Sequence, residues 1–84
     1  MANSYRVSCE YPGYDPCYDA KIEAAAGALC DDSGFGFGIR DMGWKRKTKR
    51  AAMRIYQVLR RFRKLQNVHV DFYPSEWDDP TRIA

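Results

Sequence analysis

The stretch Phe35-Gly36-Phe37-Gly38-Ile39-Arg40-Asp41-Met42-Gly43-Trp44 decides how this chain folds. Its apolar residues stand at odd positions up to Ile39 and at even positions from Met42 onward. Side chains of a strand alternate between faces, so such a change of parity demands an extra residue or a turn. A bulge or tight turn is expected near Arg40 and Asp41, giving either one bent strand or a short hairpin. Phe35 and Phe37 then read as core residues whose glycine neighbours admit another backbone.

Working upstream, Cys30 to Gly34 is a loop. Before it, Asp15 followed by Pro16 has the form of an N-cap with proline at the first helical position. This predicts a helix to about Leu29, with Tyr18, Ile22, Ala25 and Leu29 on its buried face. Tyr5, Val7, Cys9 and Tyr11 alternate with Arg6, Ser8 and Glu10, the pattern of a half-buried first strand.

Working downstream, Thr48 caps a helix predicted from Lys49 to about Leu65, with Ala52, Ile55, Leu59 and Phe62 inward. Val68, Val70 and Phe72 form a last strand, and the acidic tail after Pro74 is expected to be irregular. The order β-α-β(β)-α-β is that of an α+β, ferredoxin-like two-layer sandwich, an antiparallel sheet of three to four strands with two helices on one face.

The chain of 84 residues has room for one domain, residues 1–84, and a domain this small folds with a thin margin. Three cysteines, Cys9, Cys17 and Cys30, form no CxxC pair and read as core thiols of a cytoplasmic protein. Neither a signal peptide nor a membrane span is visible.

The net charge of +3 hides a division, since Arg40 to Lys64 carries eleven basic residues against Asp41 alone, while the rest of the chain sums to −7. Arg50, Arg54, Gln57, Arg61 and Lys64 fall on one exposed line of the second helix, and Lys45, Arg46, Lys47 and Lys49 lead into it. Cations crowding a helix N-terminus oppose its dipole, which points to a binding surface rather than a folding gain. The partner expected first is an acidic or nucleic-acid-binding protein surface, with Trp44, Tyr56 and Trp77 as aromatic anchors. Nucleic acid itself is the second choice, through phosphates. A third reading is an assembly subunit whose Trp77 and acidic tail dock on the basic helix of a neighbour. No membrane partner is expected.

Gly34-Phe35-Gly36-Phe37 resembles the RNP1 motif of RNA-recognition domains. Ser33, Gly38 and Arg40 depart from it, and the first strand lacks that family's RNP2 pattern. The resemblance implies base stacking on Phe35 and Phe37 from the open sheet face. The glycines have neither dinucleotide nor P-loop spacing. The one histidine, His69, stands outward beside Asp71, and no nucleophile, metal-ligand set or cofactor motif accompanies it. The chain is expected to be no enzyme. In size and format it is similar to small stand-alone phage and mobile-element proteins, anti-CRISPR inhibitors among them, a resemblance that no residue motif carries.

Overall fold

The computed structural model describes residues 3–75 and 79–84. The elements are β1 (Ser4–Pro12), α1 (Pro16–Ala26), β2 (Asp32–Gly36), β3 (Ile39–Arg46), α2 (Lys49–Leu59), β4 (Gln66–Tyr73) and β5 (Thr81–Arg82). All strand pairs are antiparallel, in the order β2-β3-β1-β4-β5. The described residues thus form an α+β fold with five strands and two helices.

β1 forms as its alternation demands, with Val7, Cys9 and Tyr11 buried. Cross-strand register sets Val7 opposite Trp44 and Val70, and Cys9 opposite Met42. These residues meet Ile22 of α1 and Ala52, Ile55 and Leu59 of α2 in one apolar core. Both helices therefore cover the same sheet face.

The change of parity is resolved as a hairpin, with its turn at Phe37 and Gly38 rather than at Arg40 and Asp41. Both turn residues have positive φ, 55° and 77°, as a two-residue type I′ loop requires. Phe35 is 54% exposed and Phe37 fully exposed, so neither is a core residue. By register Phe35 stands beside Arg40 on the helix side, and Phe37 occupies the turn. Neither lies on the open face that the RNP1 resemblance requires.

Each helix starts where its cap was read. The Asp15 carboxylate accepts the Cys17 N–H at 2.9 Å, and the Thr48 hydroxyl accepts the Ala51 N–H at 3.2 Å. Both helices end earlier than expected. Gly27, at φ 78°, closes α1 while its N–H and that of Ala28 return to carbonyls of the last turn, as a Schellman end does. Ala25 is consequently exposed and Leu29 is 75% exposed; Ile22 is buried and Tyr18 half-buried as expected, and Asp19 and Ala26 complete the inward side. Beyond Leu59 the chain tightens into three-residue bonds, Arg61 to Val58 and Phe62 to Leu59. This brings the Phe62 ring edge-on to Tyr18 at 5.9 Å. The tail, expected to be irregular, adds β5 along Asp71 and Phe72. Of the cysteines, all free, Cys9 is buried and Cys30 half-buried, but Cys17 is exposed and no core thiol.

Candidate basic interface

α2 presents Ala52, Ile55 and Leu59 to the sheet. Helical spacing then leaves Arg50, Arg54 and Gln57 on the solvent side, where all three are exposed. Eleven residues make this face about 16 Å long at the usual rise per residue. Arg61 and Lys64 lie past the helix end, so the expected line continues into a turn instead of along one helix. Lys64 turns away over the Tyr18 ring at 4.7 Å and the Tyr11 ring at 5.7 Å. Arg60, absent from the expected set, lies over Tyr56 at 5.5 Å. This stacking was legible in their four-residue spacing.

Among the described residues, Lys47, Lys49, Arg50, Arg54, Arg61 and Lys64 form no ion pair. Arg46 differs, since it pairs with Asp31 at 3.2 Å, and that carboxylate also accepts the Lys45 N–H at 2.7 Å. The Lys45 side chain is exposed on the far side of the sheet, opposite Arg6 in register. The basic residues thus divide into an α2 face and a separate strand end.

Trp44 is not an anchor. It is fully buried in the core, where its indole N–H donates to the Ala28 carbonyl at 3.0 Å. Tyr56 is half-buried beneath Arg60, and Trp77 lies outside the described residues. The α2 face offers charge with little aromatic surface.

The uncovered sheet face carries ion pairs and hydrogen bonds of its own. Arg6 grips Asp32 through two bonds of 2.6 Å across Gly43, where a Cβ would stand 2.6 Å from the guanidinium. Asn67 donates to Glu10, and Asp71 takes both His69 at 3.3 Å and Arg82 at 3.7 Å. His69 therefore belongs to a lattice of structural pairs, as does Asp71.

On the helix side one polar cluster is buried, and the sequence reading missed it. The Tyr11 hydroxyl donates to the Asp19 carboxylate, which also receives Arg40 at 2.8 Å. Burial, and then the bond to Asp19, push the Tyr11 hydroxyl up to about 12. Burial pulls the Arg40 guanidinium down, but its bond to Asp19 and that carboxylate's charge outweigh this and raise it. Both groups keep the protonation states that hold the cluster together. Asp19 one turn into α1 on the sheet-facing side was the available signal. Among the described residues, no three His, Cys, Asp or Glu side chains gather as a metal site would need, and no helix is long and apolar enough to cross a membrane. Compared with known proteins, the chain matches no family model, no curated protein and no solved structure.

Proposed function

We propose that this chain is a non-enzymatic binding protein that acts through the α2 face on an acidic surface of a nucleic-acid-handling complex, blocking or modulating it in the manner of an anti-CRISPR inhibitor. The observation that carries this reading is the set of exposed α2 cations without an ion-pair partner among the described residues. Unneutralised like charges along one helix cost stability within the monomer. A partner carboxylate array returns that cost on binding and steers the encounter. The strand order read through β4 fits a ferredoxin-like sandwich extended by β5, a scaffold that leaves α2 convex and accessible.

The test is the double substitution Arg54→Glu with Arg61→Glu, followed by pull-down with and without nuclease. Loss of the complex with an unchanged melting temperature is the expected result. Survival of binding would reduce the face to solvation. A second reading, direct nucleic-acid binding, is favoured by the burial of Trp44, because phosphates ask for charge without an aromatic anchor. Anisotropy titration of a labelled duplex at two salt concentrations decides it. Binding that weakens steeply with salt supports this second reading, and no binding at low salt eliminates it.

A further inference from the structure

The sheet has two edges of different character. On one, β5 pairs with Asp71 and Phe72, and the Ile83 and Ala84 backbones bond to Val70. On the other, β2 pairs, among the described residues, with β3 alone. A free edge is normally protected by lysine, proline or charge. β2 reads Asp32-Ser33-Gly34-Phe35-Gly36, and its single charge, Asp32, is neutralised by Arg6. The next charge, Asp31, is paired with Arg46. This edge is open and neutral on a protein whose net charge is +3.

Four of the five exposed large apolar residues among the described ones gather along the same edge, and the fifth, Ile83, lies at the other. Leu29 precedes β2, Phe35 stands within it and Phe37 follows it, while the ring of Tyr14 lies 5.7 Å from that of Phe35. The tip is also held still, because the Gly13 N–H bonds to the Gly38 carbonyl at 2.7 Å. Phe37 bears full exposure and a left-handed backbone together, and a bulky residue pays for both.

We infer that the β2 edge pairs with the β2 edge of a second copy, antiparallel about a two-fold axis at Gly34. The register follows from the backbone. A two-residue loop closes on a hydrogen-bonded pair, Gly36 with Ile39, and bonded and non-bonded pairs then alternate. Ser33 and Phe35 therefore direct their N–H and C=O groups away from β3. Only one arrangement pairs these residues with themselves: Ser33 with the second copy's Phe35, and the reverse. It makes four hydrogen bonds and sets Gly34 against Gly34, where strands approach closely and no Cβ intervenes.

Side-chain positions agree with this register. The two Phe35 rings become diagonal neighbours across the axis, within reach of aromatic side chains. Phe37 arrives beside the second copy's Asp31, two residues from its Leu29, so the exposed apolar residues at one end of the edge meet those at the other. Because the same edge of both copies is used, this pairing closes at two, and the opposite edge ends in β5, only two residues long.

Sedimentation velocity over a concentration series tests this with the unmodified chain, together with amide exchange at Ser33 and Phe35. A monomer–dimer equilibrium is expected, with exchange at those two amides slowing as concentration rises. Ser33→Pro removes an outward N–H without touching the β3 ladder, and Phe35→Lys places charge at the axis. Each is expected to weaken the dimer by about tenfold or more, Ser33→Pro because two of the four hydrogen bonds are lost and Phe35→Lys because two cations face each other across the axis. Arg54→Glu with Arg61→Glu leaves it intact, and salt has little effect on a neutral edge. A chain that stays monomeric at every concentration, as it would if this edge awaited a strand of another protein, overturns the inference. So does a dimer whose Ser33 and Phe35 amides exchange freely.

Discussion

Asp19 is the residue on which the joint between α1 and the sheet depends. It is 7% exposed and holds both the Tyr11 hydroxyl and the Arg40 guanidinium. Asp19→Ala would leave the half-buried Arg40 without its ion-pair partner and the Tyr11 hydroxyl without its acceptor, and loss of about 2 kcal/mol is expected in urea unfolding. Tyr11 adds a pH dependence whose sign is fixed by its raised value. The folded state favours the protonated phenol, so this stabilisation is complete below the ordinary tyrosine value of 10 and is lost as pH climbs toward about 12. Cys9, raised to about 12 mainly by burial, acts in the same direction from 9 upward. Unfolding followed from neutral to strongly alkaline pH should fall across that window by roughly 2 to 3 kcal/mol for Tyr11 alone. Tyr11→Phe should flatten its share. The inward position of Asp19 beside Ile22 was legible in the helical spacing, but its ion pair was not, because Arg40 arrives from β3.

At the scale of elements, the β2–β3 turn carries a residue poorly suited to its backbone. Asparagine tolerates the left-handed region far better than phenylalanine, and Asn-Gly is the favoured type I′ pair. Phe37→Asn should therefore raise stability by about 1 kcal/mol. It would at the same time remove apolar surface from the proposed dimer. Thermal melting and sedimentation on one sample separate the two effects. α2 shows a similar opposition at its first turn, which holds no acid. Lys49→Glu should stabilise the fold by about 0.3 to 1 kcal/mol through the helix dipole while weakening any acidic partner's binding. The starts of both helices were legible because a cap is written within a few consecutive residues. Their ends were less so. Gly27 was a readable stop, whereas the loosening after Leu59 accompanies the packing of Phe62 on Tyr18.

Over the whole molecule, charge separates the two surfaces. The α2 face is charged, so binding of the proposed acidic partner should weaken as salt rises, while the β2 edge is neutral and the proposed dimer should not. Binding and self-association measured at about 0.1 M and about 1 M salt should therefore respond differently, the first weakening steeply and the second hardly at all. Local pattern was enough to determine β1, the helix starts, the need for a bend or turn between Phe35 and Trp44, and the exposed positions of Arg50, Arg54 and Arg61. These follow from periodicity and capping, which are properties of neighbouring residues. Only the tertiary structure decided that Trp44 fills the core, that Phe35 and Phe37 stand in solvent, that β5 covers one sheet edge and that Asp19 is buried. Each of those outcomes depends on which distant strand or helix lies alongside. Burial and edge pairing are properties of that neighbour as much as of the residue itself.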